Sequence, residues 1–172
     1  MEIFVLSESG DLAKRPTDDP RATVEWGPDG SPDGSRLLFT SNRDGNLEVY
    51  AVTVAWGEAR NLSNHDGADF SAAWSPDGSS VAFYSDRDGT NAIYVMSRDG
   101  SPLRRLVDAS ARDAGPTDRN PPGILLTETG WRTSWSPAGK VIAFVGEDGA
   151  DIEIFVVSVD GLAATDYFER CE

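Results

Sequence analysis

The stretch Phe70 to Gly100, FSAAWSPDGSSVAFYSDRDGTNAIYVMSRDG, decides the fold, because the rest of the chain reads as better or worse copies of it. Apolar runs alternate with glycine turns: AAW then SPDG, VAFYS then DRDG, IYVMS then RDG, with LRRLV close behind. This predicts strand, turn, strand, turn, strand and a more polar fourth strand, one four-stranded antiparallel unit. The turn chemistry is specific. In Ser75-Pro76-Asp77-Gly78 the proline presets φ, the aspartate bonds its own backbone, and the glycine takes a positive φ at no steric cost.

Working outward, Glu2 to Ser7 and Leu12 to Thr17 match the third and fourth strands of this unit, so the chain opens on a half unit spanning 1–20. Complete copies are expected over 21–64, 65–107 and 131–168, with an insertion over 108–130. Ser31 to Ser75, Asp44 to Asp88 and Tyr50 to Tyr94 are each 44 residues apart, whereas Trp26 to Trp74 is 48, which reads as a duplicated turn, GPDG followed by SPDG. Ser75 to Ser136 and Tyr94 to Phe155 are both 61, which places 17 extra residues before the third copy. Four strands recurring at such a period are the signature of propeller blades. The expected fold is therefore all-β, an incomplete ring of about three and a half four-stranded antiparallel blades, a single propeller domain or half-propeller over 1–172.

Composition limits the partners. With 29 Asp and Glu against 15 Lys and Arg, the formal net charge of −14 argues against nucleic acid or an anionic membrane surface. No apolar run has the length of a membrane span, so no membrane insertion is expected, and the N-terminus lacks the basic start and long apolar run of a signal peptide. The single cysteine, Cys171, permits neither an intramolecular disulfide nor a cysteine-rich zinc site.

The pattern W-S-P-D-G, an apolar strand, R-D-G, an I-Y strand, a further D-G and an R-L pair resembles the TolB-like β-propeller repeat over nearly the whole chain. The third copy departs from it, with Ala138 where the turn aspartate stands elsewhere. The resemblance implies a non-catalytic scaffold that binds protein in envelope complexes, of periplasmic or secreted origin. Because similar repeats accompany the hydrolase domain of prolyl-oligopeptidase-like peptidases, one alternative is a propeller that serves such an enzyme, and another is a Ca²⁺-stabilised structural propeller. Three and a half blades do not close a ring. Self-association into a homo-oligomer is the preferred way of covering the blade faces that an arc leaves in water.

Alternation of strand direction puts the A–B and C–D turns of every blade on one face, and the B–C and D–A connections on the other. The irregular segments share that second face, where a partner site is expected at His65, Asp66, Asp69, Trp131 and Arg132. Carboxylates there, Glu25, Asp44, Asp69, Asp88 and Asp148, are the candidate metal ligands, and Ca²⁺ is the cation they would suit. The resemblance supports this in so far as TolB-like channels can hold cations; no cofactor is required. The competing reading is that Asp44-Gly45, Asp88-Gly89 and Asp148-Gly149 are hairpin turns and nothing more. His65, the only histidine, has no nucleophile elbow, second histidine or nearby cysteine to work with and reads as an exposed polar residue. Asn61-Leu62-Ser63 matches a glycosylation pattern but falls on a predicted strand. Trp26, Trp74 and Trp135 are expected to close the same inner strand as core residues.

Overall fold

The computed structural model describes residues 3–6, 9–10, 12–14, 24–55, 58–89, 91–108, 132–148 and 151–160. Blade 1 is the sheet β3 (Glu25–Gly30), β4 (Arg36–Ser41), β5 (Glu48–Thr53) and β6 (Arg60–Asn61), and blade 2 is β7 (Asp69–Trp74), β8 (Ser80–Ser85), β9 (Ala92–Ser97) and β10 (Leu103–Asp108). Both are antiparallel with neighbours in chain order. Blade 3 has three described strands, β11 (Ser134–Trp135), β12 (Val141–Asp148) and β13 (Asp151–Ser158). The fourth strand expected near 162–168 lies outside the described residues. Ahead of these, β1 (Val5–Leu6) and β2 (Leu12–Lys14) pair as a half blade.

The repeated SPDG turns form as their chemistry requires. Ser75 Oγ donates to Asp77 Oδ1 at 2.6 Å and accepts from Ser80 N, while Asp77 Oδ1 also accepts from Ser79 N. These bonds favour the ionised carboxylate and hold Asp77 at about 2. Ser31 and Asp33 repeat the arrangement. Where Ala138 removes the carboxylate, Ser136 Oγ still accepts from Lys140 N and Val141 N, so the turn survives on its serine.

One expectation is overturned. Gly27-Pro28-Asp29-Gly30 is not a duplicated turn but the body of β3. Trp26 pairs with Thr40 and Asp29 with Leu38, so Gly27 and Pro28 together oppose one residue, Phe39, in a β-bulge. Blade 2 carries the same bulge, with Phe70 opposite Tyr84 and Ala73 opposite Ala82. The bulged residue has φ 62° at Gly27 and φ 54° at Ser71. The spacing of 44 therefore runs unbroken from Glu25 to Asp69, and Trp26 is the counterpart of Phe70, not of Trp74. The two rings touch, their centroids 6.2 Å apart, and Phe70 in turn stacks on Tyr84 at 5.5 Å. Only Trp74 and Trp135 share the position at the far end of the inner strand.

Alternation along each strand sorts the core into junctions between blades. Ile3 of the half blade packs with Phe39, Tyr50 and Val52 of blade 1. Leu38, Val49 and Ala51 on the opposite side of blade 1 pack with Val81, Phe83, Tyr94 and Met96 of blade 2. Ala82, Tyr84, Ile93 and Val95 then pack with Ile142, Phe144 and Val157 of blade 3. The side of a blade that meets its predecessor, the trailing face, carries a ring pair in every case. Centroids are 5.6 Å apart for Phe39–Tyr50, 5.9 Å for Phe83–Tyr94 and 5.7 Å for Phe144–Phe155. The side that meets the successor, the leading face, is mainly aliphatic.

The inner edges of the blades face one another, and there the backbone is satisfied by side chains from the neighbouring blade. Trp74 N donates to Asp29 Oδ2 at 2.7 Å and Ser71 N to Thr40 Oγ1 at 3.2 Å. Thr133 Oγ1 donates to Ser71 O at 2.8 Å and Trp135 Nε1 to Ala73 O at 3.1 Å.

Candidate functional site

The B–C turns, 42–47 and 86–89, and the D–A connection 64–68 come together, as strand parity requires. Glu48, at the start of β5, organises the connection. Its Oε1 accepts from His65 N at 3.0 Å and Asn46 Nδ2 at 3.1 Å, and its Oε2 from Ser63 Oγ. Asn46 Nδ2 also reaches the carbonyls of His65 and Gly67, while Asp86 Oδ1 accepts from Ala68 N at 2.6 Å. The connection passes so close to blade 2 that a Cβ on Gly67 would stand 2.7 Å from Asp86 Oδ1 and 2.8 Å from Arg87 Cα. His65 and Asp66 are left exposed at its crest, with His65 Nδ1 accepting from Gly67 N at 3.0 Å.

Beneath this surface lies a device that recurs in blades 1 and 2. Arg43 Nη2 donates to Glu25 Oε1 at 2.6 Å, with side chains 7% and 1% exposed, and Arg87 Nη2 to Asp69 Oδ2 at 2.9 Å, at 8% and 0%. Each arginine also donates through Nε to the last serine of the second strand, Ser41 or Ser85. Each guanidinium lies over a ring pair, Arg43 at 5.3 Å from Phe39 and 4.7 Å from Tyr50, Arg87 at 5.4 Å from Phe83 and 5.1 Å from Tyr94. These distances suit a cation–π contact. The hydroxyl of each tyrosine, Tyr50 or Tyr94, donates to the turn aspartate, Asp44 or Asp88. Burial and the aspartate bond raise the tyrosines, Tyr94 to about 12.

Burial also pushes the Asp69 carboxyl up to about 6, a push that Glu48 reinforces and that Ser85, Arg87 and Ser63 only partly offset. Among the described residues its Oδ1, like Glu25 Oε2, is buried without a hydrogen-bond partner. The third copy lacks the set as a whole: Gly146 stands for Ser85, Phe155 for Tyr94 and Gly130 for Asp69. There β12 and β13 stay paired to their ends, with Asp148 opposite Asp151.

The residues expected at a partner face are thus divided. His65, Asp66 and Arg132 are exposed, Asp69 is buried in its ion pair and so does not reach that surface, and Trp131 lies outside the described residues. Of the candidate metal ligands, Glu25 and Asp69 are held by arginines, Asp44 and Asp88 accept from tyrosines, and Asp148 ends β12. Among the described residues no group of three or more His, Cys, Asp or Glu side chains converges to hold a metal ion. Asn61 Nδ2 lies 3.4 Å from Asp44 Oδ2 and 3.5 Å from Tyr50 Oη, so the glycosylation pattern falls on an engaged amide. What the sequence reading passed over were Arg43 and Arg87. The signal was present as S-x-R-D-G, Ser41 to Gly45 and Ser85 to Gly89, followed in each case by a tyrosine six residues after the aspartate.

A model of the TolB beta propeller domain matches residues 22–123, more than half of the chain. The chain belongs to this family. None of the curated proteins matches it. Among solved structures, a protein assigned as TolB from Agrobacterium tumefaciens is similar at TM-score 0.71 and 21% identity, over 94% of this chain and 54% of that one. TolB from Acinetobacter baumannii is similar at TM-score 0.70 and 25% identity, over 94% of this chain and 36% of that one. A chain of a nidogen/laminin complex follows at TM-score 0.63 and 15% identity, over 93% and 54%. The TolB-like chain thus spans about a third to a half of the length of these structures. Among its described residues no helix is long and apolar enough to cross a membrane.

Proposed function

We infer that the chain is a non-catalytic TolB-like scaffold that binds protein and completes its ring by self-association. The observation that carries the reading is a contrast within the repeat. Ile93 on the leading face of blade 2 is 0% exposed, packed against blade 3, whereas its counterpart 61 residues on, Ile154, is 59% exposed. An apolar sheet face with its core position in water favours association. The face of irregular connections, with His65, Asp66 and Arg132 exposed, supports a separate contact with a protein partner, because variable loops on a rigid scaffold are where recognition is built. The family resemblance supports a periplasmic or secreted setting. Light scattering of the 172-residue chain tests the reading: an oligomer at micromolar concentration that Ile154→Asp converts to monomer is expected. A stable monomer across that range would overturn it.

A further inference from the structure

We propose that Asp66-Gly67, at the crest of the D–A connection, is a modification site at which the folded chain forms isoaspartate, with His65 as the base that takes the amide proton. Neither self-association nor a protein partner is needed for it.

An aspartate followed by glycine can close a ring onto the next backbone nitrogen, because glycine has no side chain to obstruct the approach. In that step Gly67 N bonds to Asp66 Cγ, and the amide proton and one from solvent leave with a carboxyl oxygen as water. Water then opens the resulting succinimide at either carbonyl. Opening at the main-chain carbonyl routes the backbone through the former side chain and frees an α-carboxylate. One water is lost and one regained, so no oxidant, reductant or cofactor enters.

The chain contains nine Asp-Gly pairs, and in seven of them both residues are described. Six of the seven are locked. Gly34, Gly45, Gly78, Gly89 and Gly100 each donate N–H to a backbone carbonyl of their own turn, and Gly30 is held in register opposite Leu37. Their carboxylates are occupied as well: Asp33 and Asp77 by serines, Asp44 and Asp88 by tyrosines, Asp99 by Arg36 and Asp29 by Trp74 N. Asp66-Gly67 differs on both counts. Asp66 is exposed, and among the described residues no hydrogen bond or ion pair engages its carboxylate. Gly67 N–H points not at a carbonyl but at His65 Nδ1, 3.0 Å away. That nitrogen carries a lone pair in the neutral imidazole and lies within the reach a general base requires.

The product would not fit the connection as it stands. The β-linkage inserts one more carbon into the main chain at the point where even a Cβ on Gly67 would stand 2.7 Å from Asp86 Oδ1. Modification should therefore loosen the bonds from Asn46 Nδ2 to Gly67 O, 2.8 Å, and from Ala68 N to Asp86 Oδ1, 2.6 Å, and lift the crest from blade 2.

The test ages the folded 172-residue chain at neutral pH and digests it with trypsin, which releases Asn61–Arg87 as one peptide carrying both Asp66-Gly67 and Asp77-Gly78. Chromatography with electron-transfer fragmentation then assigns isoaspartate to either position. Isoaspartate at Asp66 is expected to accumulate several times faster than at Asp77, and the ratio should fall towards one when the chain is aged in urea. His65→Gln, at an exposed position, should slow Asp66 severalfold and leave Asp77 as the internal reference unchanged. Equal rates at the two positions in the folded chain, or a ratio that urea does not alter, would overturn the site. An unchanged rate at Asp66 in His65→Gln would overturn the part given to the histidine.

Discussion

Replacing Arg87 by alanine strikes the centre of one of the two repeated ion-pair devices. The guanidinium is 8% exposed, bonds a carboxylate that is 0% exposed, and lies within 5.4 Å of two ring centroids. Removing one partner of a buried ion pair costs about 3–5 kcal/mol, because the remaining charge is left desolvated. Loss of the cation–π contact adds about 1 kcal/mol. The two overlap, so a cost of about 4 kcal/mol is expected at pH 7. With a urea dependence of about 2 kcal/mol per molar, the unfolding midpoint should fall by about 2 M, measured at fixed protein concentration. Arg87→Lys keeps the charge but not the planar fork, and should fall between the two. The penalty should shrink at pH 5, where Asp69, lying near 6, is largely protonated and no longer needs the cation. A midpoint shift below about 0.5 M for Arg87→Ala, or a penalty equal at both pH values, would refute the argument that this pair locks the blade.

Gly67→Ala must displace Asp86 or the backbone of Arg87, both within 3 Å of the added carbon, and should cost about 1–3 kcal/mol in thermal or urea unfolding. Stability should change with pH in two opposed stages. Asp69 is raised above its unfolded value, so the fold binds its proton first and gains stability as pH falls from 7 to about 4, by about 2–3 kcal/mol at most. Below that, Asp77 and Asp33, both held under their unfolded values, lose their contribution as they protonate, and stability should decline. Melting midpoints recorded from pH 7 to 2 should therefore pass through a maximum near pH 4–5. Exchanging Ca²⁺ for a chelator should leave the melting temperature unchanged, since Glu25 and Asp69 already have arginine partners; a rise of several degrees with Ca²⁺ would show the carboxylates acting together on a cation.

The blades were legible in the sequence because turn residues act locally. Ser75-Pro76-Asp77-Gly78 makes its own bonds within six residues, and a period of such motifs gives strand number and order. The first PDG misled for the same reason. Pro28-Asp29-Gly30 has the composition of a turn, yet Asp29 is spent on the Trp74 N–H of the next blade and Gly27 on the positive φ of a bulge. Tertiary bonding overrode local chemistry there. The candidate site was legible as a face but not residue by residue. Asp69 and Asp66 are alike in sequence, and only burial separates a carboxylate locked on Arg87 from one in water. The arginines were hidden because a charged residue in a turn ordinarily points outward, whereas Arg43 and Arg87 fold back over ring pairs that belong to two different strands.

The bonds that cross the inner edges bear on how the array comes apart. In solenoids of stacked repeats each unit satisfies its own backbone, so ends can fray one repeat at a time. Here Ser71 and Trp74 donate to blade 1 while Ser71 and Ala73 accept from blade 3, so the innermost strand of blade 2 keeps its partners only while both neighbours stay docked. Opening any one blade exposes buried donors or acceptors in the next, which penalises partial states and favours loss of the array as a block. Amide exchange on β7 should accordingly report the same opening free energy as exchange on β4 and β8, a collective protection that no single blade could maintain alone.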